Sequence, residues 1–419
     1  MDTEWRKKEL SRREVEEKYP DVPKMTILKT DVSRRGLLYT EKAFSKVDPN
    51  RHHVEPQEFM GTMRDLGIQA SPIGLTMRDG SLICRGHWVT DENTQREPYL
   101  VDVVDDRIVL VDNDEILEEV EFWERPAFYD KVTSNGTPMW QIASGRPQRI
   151  SVVPYPKCDF WETPVGGCKY CSLFSSTRNI HDLMRDEKYF EDVTETVEEA
   201  IKHKGRYTVF HMTSGSIPSG EHVFDDEVDL YIKTLKAAGK AFKTKKFPVK
   251  LVASAFDETQ IKRLYEETGI TTYTTDLEVL DENLFKWICP GKAKYVGYQE
   301  WKKRMFKAAE IFGYGNVYCG IVGGVEMAQP YGYKTEEEAL AQTLKEADEI
   351  GSHGVSFAEG IWTTDPKSVF RKQRTPSLEY FIRLAVGLAE IRRKYGLNVY
   401  TDDYRRCGNH PNTDLARID

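Results

Sequence analysis

The chain has 419 residues, of which 39% are apolar, 30% charged and 11% aromatic; this is the balance of a globular protein and excludes the disordered and fibrous classes. A formal net charge of −9 gives no general attraction to polyphosphate or anionic lipid, so neither a nucleic-acid nor a membrane partner is expected. The length suffices for one large domain of barrel size plus a smaller one.

The N-terminal stretch MDTEWRKKELSRREVEEKYP is charged throughout and lacks the apolar core of a secretory signal, and no later stretch approaches 18 apolar residues. A cytoplasmic protein is expected. Seven cysteines, odd in number and without a regular framework, suit a reducing compartment and are read first as ligands.

A helical start is predicted over Glu4 to Lys18, and residues 66–145 read as short alternating strands broken by turns. In GLTMRDGSLICRG the pair Asp79-Gly80 signals a hairpin, and PYLVDVVDDRIVLVDNDEILEEVEFW alternates between turn signals. Residues 1–145 are therefore expected to form an N-terminal accessory domain, mostly β with a helical start. It carries no catalytic motif. The pair His52-His53 has no partner at metal-ligand spacing and is expected in an exposed loop.

From residue 146 the pattern changes to strands alternating with amphipathic helices, which predicts βα units and a parallel sheet. Arg149 to Val153 makes the first strand, and Asp192-Val193-Thr194-Glu195 reads as a capping-box start for a helix to about His203. Tyr207 to Met212 is followed by a helix from Asp225 to Ala241, and Val249 to Ala255 by one from Glu258 to Glu267. Thr271 to Leu277 precedes helical segments reaching Phe312; Val317 to Val322 precedes Glu336 to Ile350; and Gly354 to Ala358 precedes Ser377 to Tyr395. Six βα units are fewer than the eight of a closed barrel, so the fold class expected is α/β, a partial, open (β/α)6 TIM-type barrel over 146–400, with 401–419 as a C-terminal tail.

The chemistry-bearing stretch is PYPKCDFWETPVGGCKYCSLF, directly after the first strand, with Cys158, Cys168 and Cys171 spaced C-x9-C-x2-C. Three thiolates on one loop suit zinc or an iron–sulfur cluster, because soft sulfur ligands select both. A structural zinc site wants a fourth ligand nearby, and the next histidine, His181, is ten residues past Cys171. The aromatics Phe160, Trp161, Tyr170 and Phe174 would give a three-cysteine cluster an apolar shell, which favours the cluster over zinc.

A tri-cysteine loop ending Cys168-Lys169-Tyr170-Cys171, directly after the first strand of a βα barrel and with an aromatic before the last cysteine, resembles the radical S-adenosylmethionine (radical SAM) superfamily. The commonest family spacing is C-x3-C-x2-C; a first gap of nine is shared with the Elongator catalytic subunit, whose activity is not expected here because neither an acetyltransferase-like region nor a basic surplus for tRNA accompanies the barrel. The resemblance implies that the three cysteines bind three irons of a [4Fe–4S] cluster, that the fourth iron chelates SAM, and that Tyr170 lies by the adenine. Thr213, Ser214 and Gly215, at the end of the second strand, occupy the place of the family's Gly-Gly-Glu-type segment, whose exposed backbone receives the SAM amino group. Asp276 and Glu278, at the end of the fourth strand, fall where the family places a polar residue facing the SAM ribose or methionine, Glu278 standing nearer the strand's end. Ile321, Gly323 and Glu326 match a G-x-I-x-G-x-x-E pattern that flanks adenine, with Cys319 replacing the first glycine and expected as a packed strand residue.

The stretch Leu284 to Lys292, with its Pro290-Gly291 pair, resembles the biotin-synthase-like branch, and Val355 to Trp362 occupies the family's substrate-side rim. The implied reaction is reductive cleavage of SAM to a 5′-deoxyadenosyl radical that takes a hydrogen atom from a small-molecule or cofactor-precursor substrate in biosynthesis, fed by an electron donor such as flavodoxin or ferredoxin. Two alternatives stand beside it: a radical SAM enzyme that modifies a peptide or protein held by the N-terminal domain, and a non-enzymatic zinc protein. A cobalamin-dependent methyltransferase is not expected, because the region before the barrel is strand-rich rather than βα. Cys84, Cys289, Cys319 and Cys407 are too scattered for a second cluster; Cys407 with His410 is the most ligand-like pair among them.

Overall fold

The computed structural model describes residues 9–54, 72–83, 97–173, 179–242, 246, 249–397, 399 and 410–417. It opens on helices α1 (Arg12–Lys18) and α2 (Lys24–Arg35), strand β1 (Leu37–Tyr39) and helix α3 (Glu41–Ser45). Ser11 and Glu14 form a reciprocal capping box at the start of α1; Glu4 lies outside the described residues. Strands β2 (Leu75–Met77), β3 (Leu82–Ile83), β4 (Tyr99–Val104), β5 (Arg107–Asp112) and β6 (Glu115–Phe122) join β1 in a six-stranded sheet ordered β1-β4-β5-β6-β2-β3. Two of its hairpins turn on Asp105-Asp106 and Asn113-Asp114, all four at positive φ, the backbone that a two-residue I′ turn requires and that Asp and Asn tolerate best after glycine. The Asp79-Gly80 hairpin joins β2 to β3, with Met77 N–H donating to Ser81 O at 2.8 Å.

The His52-His53 pair is not an exposed loop. His53 is 1% exposed; its N–H donates to Trp123 O at 2.7 Å, its carbonyl accepts from Ile73 N at 3.0 Å, and Nε2 meets Tyr129 Oη at 3.0 Å. Its burial comes from partners some twenty to seventy-six residues away along the chain, which no local window reveals.

The second unit runs α4 (Met139–Ile142), β7 (Ala143–Gly145), β8 (Arg149–Val152), α5 (Ile180–Arg185), α6 (Glu187–Ile201), β9 (Val209–Thr213), α7 (Asp225–Ala241), β10 (Val249–Ala253), α8 (Glu258–Thr268) and β11 (Tyr273–Glu278). It continues through α9 (Glu282–Ile288), α10 (Pro290–Tyr295), α11 (Tyr298–Phe312), β12 (Val317–Gly323), α12 (Glu336–Ser352), β13 (Val355–Ile361), α13 (Leu378–Tyr395) and α14 (Pro411–Asp414). Its sheet is ordered β13-β12-β11-β10-β9-β8-β7, with β8 to β13 parallel throughout and β7 antiparallel at the edge. The six parallel strands therefore lie side by side in chain order, in a mixed α/β fold. One boundary differs from the sequence reading: α6 starts at Glu187 on the Asp186 cap, and Asp192 is buried inside it, accepting from Asn135 Nδ2 at 3.1 Å.

Alternation sorts the strand residues onto two faces. Val152, Phe210, Leu251, Tyr273, Cys319 and Phe357 pack into the main hydrophobic core. On the other face Ser151, His211 and Lys250 stand in register, as do Asp276 and Gly320, and Ser151 Oγ meets His211 Nδ1 at 2.7 Å. The C-terminal segment packs back onto the body: Lys29 on α2 pairs with Asp414 at 2.8 Å, both buried, and Arg392 donates to Asn412 O at 2.7 Å. Val15 and Ile27 share a core cluster with Leu378, Ile382 and Leu415, so the first helices and the last pack together. Among the described residues no helix is long and apolar enough to cross a membrane.

Candidate functional site

The loop that leaves β8 carries the three cysteines and is sewn to several chain segments by main-chain hydrogen bonds. Tyr155 N–H donates to Ser214 Oγ at 3.1 Å and Asp159 N–H to Ser216 O at 2.9 Å, which fixes the loop against the end of β9. Lys169 N–H donates to Ile288 O at 2.9 Å, at the end of α9, and Phe370 N–H to Lys169 O at 3.0 Å, beyond β13. Cys158 N–H closes the loop on itself through Leu173 O at 2.9 Å. The loop thus lies across the carboxyl ends of the parallel strands, where ligands bind in folds of this kind.

Cys168 is buried, while Cys158 and Cys171 are half-buried. Burial and then the neighbouring Cys168 push the Cys171 thiol up to about 12 and raise Cys158 further, so the three sulfurs act on one another as a group. Cys168 moves the other way, its thiol lowered chiefly by a hydrogen bond with Cys289. Phe160 is 1% exposed and lies on Gly291, where a Cβ would come within 2.5 Å of its ring; Trp161 lies in the same way on Gly167. Tyr170 turns its hydroxyl toward the Cys168 thiol. Phe174 lies outside the described residues. Among the described residues no three His, Cys, Asp or Glu side chains converge closely enough to hold one metal ion.

Gly215 is a seat for the loop. A Cβ on it would stand 2.0 Å from Lys157 O and 2.5 Å from Cys158 Cα, so only glycine lets the two backbones approach this closely. Neighbouring Ser214 spends its hydroxyl on Tyr155 N, and Thr213 ends β9 half-buried. Gly215→Val is accordingly expected to displace the cysteine loop, costing roughly 2–3 kcal/mol as overpacking does and lowering the iron bound per chain. A thermal melt and iron analysis on the same sample check this, and unchanged values in both would show that the loop is not seated here.

Glu278 ends β11 at φ 73, buried, with its Oε1 2.5 Å from Lys292 Nζ. Lys292 Nζ also donates to Asp276 O at 2.6 Å and lies 4.9 Å from the Trp301 ring centroid. Burial alone would depress the lysine, but Glu278, then Cys168, hold it well above its ordinary value. Asp276 is half-buried and faces Gly320, where a Cβ would strike its Oδ1 at 1.8 Å; burial, then the Glu278 charge, pushes its carboxyl up to about 7. Ile321 pairs with Glu278 across the β11–β12 bulge. Gly323 and Glu326 serve packing: a Cβ on Gly323 would lie 2.6 Å from Leu384 Cδ2 on α13, and the buried Glu326 carboxylate accepts from Tyr380 Oη and from Gly324 N at 2.9 Å. Cys319 is a fully buried strand residue.

Two residues of this region carry no local signal in the sequence. One is Lys292, whose partner Glu278 is fourteen positions away. The other is Glu227, buried in the first turn of α7, which accepts from Ile217 N, Ser254 N and Ser254 Oγ, each at 2.9 Å. It ties the loop after β9 to the end of β10. Burial pushes its carboxyl up to about 7, so the folded protein holds this proton more tightly than the unfolded chain does. Its contribution to stability is fully present at low pH and is lost as pH rises through about 7. Glu227→Gln removes that titration. In urea unfolding the deficit of the variant is expected to be larger at pH 5 than at pH 8, by roughly 1–3 kcal/mol; an equal deficit at both would show that Glu227 does not titrate in this window.

His410 is held at both ring nitrogens, Nε2 at 3.0 Å from Lys250 Nζ and Nδ1 at 2.6 Å from Glu359 O. Cys407 and Cys84 lie outside the described residues.

No family model matches the sequence, and no curated protein does. Solved structures do align with the fold. A radical SAM methyltransferase from Sphaerobacter thermophilus shares 12% identity at a TM-score of 0.41, over 66% of this chain and 71% of that one. TsrM, a radical S-adenosylmethionine methyltransferase from Kitasatospora setae with cobalamin and a [4Fe–4S] cluster bound, shares 11% at 0.34, over 53% of this chain and 38% of its own. The cobalamin-dependent S-adenosylmethionine radical enzyme OxsB shares 12% at 0.32, over 75% of this chain and 48% of its own. This chain thus spans less than half the length of the latter two.

Proposed function

We propose that this protein is a radical SAM enzyme, built on a partial (β/α)6 barrel over residues 146–400 with residues 1–145 as an accessory unit, and that Cys158, Cys168 and Cys171 hold three irons of a [4Fe–4S] cluster. The observation that carries the reading is the cysteine loop itself: three thiols on the connection after the first parallel strand, bonded across to the end of β9, the end of α9 and the segment beyond β13. The donor set fits. Three soft thiols without a fourth histidine suit iron–sulfur ligation, in which each cysteine takes a different iron, better than they suit a single closed zinc site. Gly215 accommodates the loop backbone, and Phe160 and Trp161 pack over neighbouring glycines to limit water.

When bound, cluster and SAM together supply one-electron cleavage of a carbon–sulfur bond and an organic radical able to take a hydrogen atom from a substrate. The chain's own residues bind, orient and shield. Glu278 is committed to Lys292, so the half-buried Asp276 is the carboxylate that meets the ligand, accepting hydrogen bonds from ribose hydroxyls or an ammonium group. Thr213 and the backbone beside it offer the strand-end groups that close approach requires. A small-molecule substrate and a flavodoxin- or ferredoxin-like electron donor complete the reading. Anaerobically reconstituted full-length protein is expected to be brown, to hold about four irons per chain and to form 5′-deoxyadenosine from SAM under a strong reductant. A colourless zinc protein that leaves SAM intact would overturn it.

A further inference from the structure

One side of the cysteine loop is covered by aromatic side chains from distant parts of the chain. Lys169, the residue after Cys168, is half-buried there, its N–H donating to Ile288 O and its carbonyl accepting from Phe370 N. Trp287, the neighbour of Ile288, sets its ring centroid 5.2 Å from Phe370 and 5.1 Å from Tyr331. Beside these rings the chain leaves large apolar groups in water: Tyr331 is 70% exposed and Val369 54%. The face is also fixed. Gln329 N–H donates to Gln373 Oε1 at 2.9 Å and Gln373 Nε2 to Gln329 O at 2.8 Å, which ties the loop bearing Tyr331 to the segment bearing Val369 and Phe370. That segment, residues 366–374, reads PKSVFRKQR, four cations and no acid in a chain of net charge −9. Arg371 and Lys372 are exposed, as is Lys334 beside the Tyr331 loop. Asp365, the acid that precedes the run, is spent on Ser172 Oγ at 2.5 Å and on Lys367 N at 2.7 Å.

We propose that this face docks a small acidic electron-carrier protein, of the flavodoxin or ferredoxin class, and passes its electron to the metal centre of the cysteine loop. The inference rests on the iron–sulfur reading above and adds where the donor sits and what holds it there. Exposed aromatic and aliphatic groups ringed by Arg and Lys have the anatomy of a protein interface, an apolar centre with a polar rim. The rim cations meet an acidic partner, speed its approach and fix its orientation. Electron-transfer encounters are small, below about 1,200 Å² of buried surface, so a face of a few side chains suffices. A nucleic-acid site would be more polar and would need a wider positive field than this chain supplies. In the transfer the carrier is oxidised by one electron and the metal centre reduced by one; no bond is made or broken at the face and no proton moves there.

The test measures binding of the full-length protein to an acidic flavodoxin and to an acidic ferredoxin by anaerobic titration calorimetry at low and high salt. At least one carrier is expected to bind, more weakly as salt rises. Arg371→Glu with Lys372→Glu should weaken that binding on the order of tenfold or more, and Tyr331→Ala should weaken it with little change in the salt dependence. Lys204→Glu with Lys240→Glu, the same change of charge at exposed positions elsewhere, should bind as the parent does. Binding of neither carrier, equal loss in the two charge-reversed variants, or retention of a single-stranded RNA oligonucleotide in place of the carriers would each overturn the proposal. A second readout separates docking from chemistry. With dithionite as reductant all variants should form 5′-deoxyadenosine at the parent rate, whereas with the reduced carrier the Arg371/Lys372 variant should be slower by the factor lost in binding. A parent that does not cleave SAM even with dithionite would count against the enzymatic reading and leave the binding result standing; equal carrier-driven rates in parent and variant would remove the docking face and leave the enzymatic reading intact.

Discussion

Replacing Cys158, Cys168 and Cys171 together by alanine is expected to lower bound iron from about four per chain to near zero and to abolish SAM cleavage, while the chain remains folded. The second half of that expectation follows from how the loop is held. Its bonds to Ser216, Ile288 and Phe370 run through main-chain groups, and none depends on a thiol. The variant gives up Leu173 N–H to Cys171 Sγ at 3.4 Å, the contacts of the Cys158 thiol with the main chain of Phe160 and Ser216, and the thiol contacts of Cys168. Small buried side chains changed this conservatively cost about 1 kcal/mol each, well short of unfolding a protein of this size. Iron and sulfide analysis paired with a circular-dichroism melt separates loss of ligand from loss of fold. A triple variant that still held a stoichiometric cluster would mean that other cysteines carry it, and the assignment would fall.

Much of the scaffold behind that loop is legible in the sequence, for physical reasons that also explain the misses. The six parallel strands are short, apolar and spaced by amphipathic helices, so periodicity locates each of them within a few residues; α7 runs from Asp225 to Ala241 as read from its pattern. Turns announce themselves where backbone geometry demands particular residues, as at Asp79-Gly80. Misreadings cluster where the deciding partner is distant. Asp192-x-x-Glu195 has the form of a capping box, yet Asp192 is inside α6 and bonded to Asn135, fifty-seven residues away. His53 looks like loop polarity until Trp123 and Tyr129 close over it.

The site shows the same division. The cysteines are visible because the cluster chemistry proposed for them needs a short spacing on one loop. Gly215 is visible as a small residue at a strand end, but what it accommodates, the backbone of Lys157 and Cys158, appears only when the loop folds over it. Cys289 is a further case: read alone it is the end of a helix, and only the fold brings that helix end to the cysteine loop, through the bond from Lys169 N–H to Ile288 O. Pairings made by loops that meet at the strand ends leave no periodic trace, and it is at those ends that the proposed site lies.

Lys292→Met is expected to destabilise the protein by roughly 3–5 kcal/mol, because it strands the buried Glu278 carboxylate without its cation. The geometry leaves little room for relief. Glu278 sits at φ 73, a left-handed backbone that fixes where the side chain points, and the same ammonium satisfies Asp276 O at 2.6 Å. Replacing both members, Lys292→Met with Glu278→Met, is expected to recover most of the loss, since exchanging a buried ion pair for apolar groups of similar size is often neutral. The pair of variants also separates two roles for Glu278 that the static geometry makes easy to confuse. If the carboxylate anchors Lys292 and Asp276 meets the ligand, the double variant regains stability and binds SAM with nearly the parent affinity in anaerobic titration calorimetry. If Glu278 itself touches SAM, stability returns and affinity does not. The first outcome is expected, because Glu278 is buried and held by Lys292 whereas Asp276 is half-buried.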